Sequence, residues 1–200
     1  DSLYLEPIPD PLPESELSYS ILSVSGTLLD HAISADGSTR ILSKMDDRLY
    51  LSCFAPDGSL ERGYIDIGDP GAFSTNSFAV FMSRVSKHSM VAWRRYSSTH
   101  EELRYAYLDA DCNVLVPETA IWTHDYVEFF DAVLDDRGRA VVAYGQGSTH
   151  VAWIDTDGSI IRTEAPFHIS AGNGTHVAMN RSTGAGIVAS QRHSGDHIYY

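Results

Sequence analysis

Short runs rich in Val, Ile, Tyr and Trp alternate with clusters of Gly, Asp and Ser along almost the whole chain. No stretch of three helical turns keeps an apolar stripe at i, i+3, i+4 and i+7, whereas period-2 alternation and short continuous apolar runs recur, which predicts an all-β chain. Residues 1–15 depart from this pattern. Pro7, Pro9, Pro11 and Pro13 fall at alternate positions, and each removes a ladder donor, so this segment is expected as an extended arm ahead of the folded domain at 16–200.

The strands recur with a period. Ser89-Met90-Val91-Ala92-Trp93 returns as Ala140-Val141-Val142-Ala143-Tyr144 and as Gly186-Ile187-Val188-Ala189-Ser190, with a weaker copy at Arg40-Ile41-Leu42-Ser43. A second marker keeps step with it: Asp57-Gly58, Asp111-Cys112 and Asp157-Gly158 each end one apolar strand and open the next. Both markers return about every 50 residues, the spacing of repeat architectures built from one four-stranded meander per unit. Each unit parses as an inner strand (128–134), a tight turn whose glycine takes positive φ (135–138), an apolar second strand (140–144), a third strand (150–154), the Asp-Gly turn, and an alternating edge strand (159–164).

Such units are blades, and the expected fold is a β-propeller of four-stranded antiparallel blades, with four blades preferred. The last unit stops in its third strand at 197–200, and an orphan strand at 16–24 precedes the first. Pairing the two would close the ring and remove an exposed edge. The alternative is a fragment of a six- to eight-bladed propeller.

The combination of an Asp/Gly turn, Val-Val-Ala-aromatic, and an aromatic strand ending in Asp-x-Asp-Gly resembles the tandem repeats of secreted bacterial β-propellers, over residues 28–200. The resemblance implies fold and export, to an extracellular or periplasmic location, and brings no catalytic motif. Ser34-Ala35-Asp36-Gly37 and Asp135-Asp136-Arg137-Gly138 are distantly similar to the Asp-box of sialidase-like propellers, without its serine and tryptophan positions. The length is similar to four-bladed haemopexin-like domains, whose terminal disulfide has no counterpart in the cysteine positions here.

Composition narrows the partners. A net charge of −13 disfavours nucleic acid, which rewards clustered Lys and Arg, and no apolar run is long enough for a membrane-spanning helix. Cys53 and Cys112 lie in no metal-ligand spacing and are too few for a disulfide framework, so both are expected to be unpaired. Carboxylates at alternate positions of the Asp-x-Asp turns suggest calcium, yet no turn has a distal Glu to complete a loop, so plain hairpin turns are expected. No cofactor is expected. Two Asn-x-Ser/Thr triplets, at Asn173 and Asn180, carry little weight.

Candidate chemistry gathers in two places. Asp30, His31, Asp131 and His176 on inner strands could face a central channel, where polar residues also simply suit water. Aligning the repeats at the end of the second strand puts Lys44, Arg94, Arg95, Gln146, Gln191 and Arg192 on one rim. His100, His150 and His193, with Trp93 and Tyr96, would add flat faces there. Trp122 and Trp153 read as packing residues. The expected function is an extracellular module that binds a glycan or protein ligand on this loop face, and an enzyme is the less favoured reading. The alternative is a sialidase-like glycan hydrolase or lyase at the channel mouth, which needs a carboxylate pair that the sequence does not display.

Overall fold

The computed structural model describes residues 25–71, 78–96, 100–123, 127–171, 175–191 and 198–199. The expected arm at 1–15 and closing strand at 16–24 lie outside these residues. The described residues form strands and turns with no helix, arranged as four antiparallel sheets in chain order.

The first sheet is β1 (Thr27–Ile33), β2 (Thr39–Met45), β3 (Arg48–Phe54) and β4 (Leu60–Gly68), and the second is β5 (Phe78–Met82), β6 (Ser89–Tyr96), β7 (Glu101–Leu108) and β8 (Val114–Trp122). The third contains β9 (Phe129–Leu134), β10 (Ala140–Ile154) and β11 (Ile160–Ala171). Here β10 serves as second and third strand at once: its first half pairs with β9 and its second half with β11. The change of partner occurs at Gly145, whose φ of 152° goes with a backbone so close that a Cβ would collide with the Ser148 carbonyl. The fourth sheet holds β12 (Thr175–Met179), β13 (Gly186–Gln191) and the two-residue β14 (Ile198–Tyr199).

Period-2 alternation explains how the sheets stack. On β6 and β7, Val91, Trp93, Ala106 and Leu108 join one core with Leu42, Leu49, Leu51 and Ile65 of the first sheet. Met90, Ala92, Tyr105 and Tyr107 point the other way and join a second core with Leu134, Val142 and Ile154 of the third sheet. The second sheet is therefore buried on both faces, which is why its second strand reads as an unbroken apolar run. Each fully buried large side chain in these cores contributes roughly 1.5–3 kcal/mol relative to exposure.

Register refines the repeat. Ala92 lies opposite Ala79, Ala143 opposite Asp131 and Ala189 opposite His176; the position in the first sheet at the same distance from the turn is Leu42, opposite Asp30. The sequence marker Ser43 is thus one residue out, because Arg40 occupies a site that is apolar in the other units. Its fully buried guanidinium donates to the Thr39 carbonyl at 3.2 Å and to the Ala110 carbonyl at 2.9 Å.

The cysteines correct the expectation of free thiols. Cys53 on β3 and Cys112 in the β7–β8 turn form a disulfide across the first two sheets. Cys112 has φ 62°, at the turn position that Gly58 (φ 82°) and Gly158 (φ 81°) hold in the neighbouring units.

Junctions between sheets alternate in kind. Asp30 Oδ2 accepts the Val80 N–H at 2.8 Å, from β1 to β5, and Asp131 Oδ2 accepts the Val177 N–H at 3.0 Å, from β9 to β12. The adjacent turns repeat the match: the Ala35 N–H donates to the Arg84 carbonyl at 2.9 Å and the Asp136 N–H to the Arg181 carbonyl at 3.0 Å. The second-to-third junction uses tyrosines instead. Tyr105 Oη donates to the Gly158 carbonyl at 2.8 Å and Tyr107 Oη donates to the Gly138 carbonyl.

Candidate functional site

Of the residues expected on the rim, Lys44, Arg94, Arg95, His100 and His150 have described side chains. Lys44 lies 3.7 Å from Asp47. Arg94 Nη1 donates to the carbonyls of Val127 at 2.8 Å and Glu128 at 3.2 Å, which holds the guanidinium beside a small cavity of about 260 Å³ between β5 and β9. Arg95 pairs with Asp69 at 3.2 Å and lies 3.6 Å from Glu118, while His100 sits 3.3 Å from Glu102. These side chains are engaged with their own chain. Trp93, expected as an exposed stacking face, is fully buried, and its indole N–H donates to the Asp69 carbonyl at 3.3 Å. The expectations for Gln146, Gln191, Arg192 and His193 concern side chains outside the described residues.

The inner-strand acids act as clamps. The carboxylates of Asp30 and Asp131 accept backbone N–H groups of the next sheet, and His176 is an exposed side chain 3.5 Å from Asp131. The Asp turns are likewise self-contained: Asp57 accepts the Ser59 N–H at 2.9 Å and Asp157 the Ser159 N–H at 2.8 Å. The serine hydrogen bonds hold both carboxyls below the usual range. Among the described residues no group of three or more His, Cys, Asp or Glu side chains is placed to hold a metal ion.

One groove recurs at successive junctions with opposite contents. Between the first and second sheets it is formed by Gly68 and Asp69 at the end of β4, Trp93 on β6, Arg104 on β7 and Glu118 on β8. Arg104 donates to Glu102 at 2.7 Å and to Glu118 at 2.9 Å, and Glu118 accepts the Asp69 N–H at 2.9 Å. A Cβ on Gly68 would meet the Trp93 ring at 3.0 Å and collide with Glu118. The groove is full.

Between the second and third sheets the same register positions carry different residues. Trp122 replaces Gly68, Tyr144 replaces Trp93 and His150 replaces Arg104, with Thr163 and Glu164 beyond them on β11. They line an open cavity of about 450 Å³. The Trp122 and His150 rings are 4.5 Å apart, Trp122 and Tyr144 5.8 Å, and Tyr144 stacks on His150 at 5.6 Å with 19° between planes. Burial pushes the Tyr144 hydroxyl up to about 12 and lowers His150 below the usual imidazole value, so both are neutral at pH 7. A neutral aromatic wall can stack a planar or ring-shaped group, while the Glu164 carboxylate at its margin is paired with Arg162.

Of the residues expected on the rim, the structure places His150 in this cavity. Trp122, Tyr144, Thr163 and Glu164 were missed. The available signal was the repeat itself: aligning the ends of the fourth strands sets Trp122 against Gly68, the largest side chain against none. No family model matches the chain, and no curated protein matches it significantly.

Proposed function

We propose that this protein is an extracellular binding module of the β-propeller type, whose ligand site is the aromatic groove between its second and third sheets. One observation carries the reading: a groove that an internal ion-pair network fills at one junction is left open and walled with aromatic rings at the next. A concavity lined mainly by aromatic side chains with a few polar groups is the usual form of a ligand site, and it lies between elements that the surrounding cores hold rigid. The ligand is a glycan or a group on a partner protein. The disulfide agrees with an oxidising compartment.

The finer architecture belongs to the same proposal. The four sheets surround one axis as blades, and residues 16–24 add a strand beside β14 to close the ring. Support comes from the two ends of the array, where Ile33 is 56% and Ile187 55% exposed, while Leu134 and Met90, at the matching interior positions, are 1% and 0%. Closure would cover both.

The test is a glycan and peptide array read with the intact protein and with Trp122→Ala. Binding that the substitution abolishes, with an unchanged thermal transition, is the expected result. Binding indifferent to Trp122 would move the site elsewhere.

A further inference from the structure

Three tyrosines lie almost fully buried in the core shared by the second and third sheets, and their hydroxyls are treated differently. Tyr105 and Tyr107 each donate to a turn carbonyl of the third sheet, at Gly158 and Gly138. Tyr144 is only 2% exposed, yet its hydroxyl makes no hydrogen bond among the described residues, and burial is the one influence on its titration. Its oxygen is not sealed off, as Ser89 Oγ and Glu101 Oε1 are; what remains of its surface opens into the cavity that Trp122 walls. His150, stacked on Tyr144, is in the same position. Its neutral ring presents one donor and one acceptor, and neither is used among the described residues.

Each class of ligand meets this set differently. A cation finds no open carboxylate, because Glu164 is paired with Arg162. An acidic sugar or a phosphate finds no cationic side chain lining the cavity among the described residues and meets the field of a chain with net charge −13. An apolar side chain from a partner protein would cover the rings and shut the Tyr144 hydroxyl and the His150 nitrogens away from water without a bond. A tyrosine could answer one of them. A sugar ring carries several hydroxyls at its edge and a C–H face that lies flat on an indole, so it answers both polar groups and the wall together. On the reading that this groove is the ligand site, we infer that it takes an uncharged pyranose ring at the end of a glycan chain, stacked against Trp122 with its hydroxyls bonded to Tyr144 Oη and the His150 ring. The cavity, at about 450 Å³, is within the size range of small-ligand sites, and its open mouth leaves the rest of the chain in solvent.

The experiment titrates the intact protein with methyl β-glucoside, methyl β-galactoside, the corresponding chain-bearing methyl β-cellobioside and methyl β-lactoside, methyl β-glucuronide and N-acetyl-tyrosine amide, followed by calorimetry and by tryptophan fluorescence. At least one neutral glycoside should bind roughly tenfold or more tightly than the glucuronide, its disaccharide should bind at least as well, and Trp122→Ala should abolish both. Tyr144→Phe should weaken binding roughly tenfold and leave or raise the thermal midpoint, because the hydroxyl it removes has no partner in the free protein. A lowered midpoint, or unchanged affinity in this variant, would overturn the role of the hydroxyl and with it the inference. Glucuronide or N-acetyl-tyrosine amide binding at least as tightly as every neutral glycoside, and dependent on Trp122, would overturn the uncharged sugar and leave the ligand site standing. A monosaccharide that binds while its disaccharide is excluded would overturn the glycan origin of the ring. If no probe binds and Trp122→Ala alters nothing on the glycan and peptide array, the ligand site and this inference fall together.

Discussion

At the scale of single residues, the inner-strand carboxylates show how one side chain can hold two sheets together. Asp30 supplies an acceptor to the N–H of Val80, a residue only 5% exposed. Removing it leaves a buried donor without a partner, at a cost of about 1–3 kcal/mol. Asp30→Ala should therefore lose that much in denaturant unfolding, and Asp30→Asn, which keeps an acceptor, should recover most of it. Equal losses for both variants would show that charge rather than the hydrogen bond matters. His150 gives a pH signature. Its value is depressed in the folded state by burial, so the unfolded chain binds more protons as pH falls below the ordinary imidazole value of about 6.5. Its contribution to stability is fully present above that value and is lost as pH drops through the folded one. The thermal midpoint of the protein should thus fall more between pH 7 and pH 5 than that of His150→Gln, and parallel curves would refute the assignment.

Strands and turns were the most legible level, because a half-buried strand writes its alternation directly into the residues. The second strands at 89–93, 140–144 and 186–190 stand where the apolar runs placed them, and the Asp turns fold as their carboxylate-to-backbone bonds require. What stayed hidden depends on which elements face one another. The pairing of Cys53 with Cys112 joins a strand to a turn in a different sheet, and no spacing rule contains that relation. The hint was local: a cysteine in left-handed backbone where the sister turns carry glycine. The aromatic cavity was hidden for the same reason, since Trp122, Tyr144 and Glu164 come from three strands in two sheets. The rim cations were visible, but their carboxylate and carbonyl partners were not. A covalent link spanning 59 residues restricts the unfolded chain by about 4 kcal/mol in the chain-entropy model. Cys53→Ser with Cys112→Ser should lower stability by roughly 2–4 kcal/mol, measured in urea, with the third and fourth sheets retaining their amide protection longest. Uniform loss of protection throughout would show that all four sheets unfold as one unit.

For the whole molecule, the alternating junctions define a two-sheet unit that occurs twice. First and third sheets carry the clamping aspartate and the shorter inner turn (34–38 and 135–139), and second and fourth carry the longer one (83–88 and 180–185), each with an arginine at its second position. The proposed closure adds an end-to-end junction to this series. Deleting residues 1–24 should then lower the thermal midpoint and promote association through the uncovered edge; a truncated protein that stays monomeric with an unchanged midpoint would argue for an open array.

The cavity sits at the seam between the two repeated halves, with Trp122 on one side and Tyr144, His150 and Glu164 on the other. A ligand of the proposed site would touch both halves at once and act as mortar between them. Occupancy would stiffen the assembly across its middle, so recognition would be sensed as cohesion far from the point of contact.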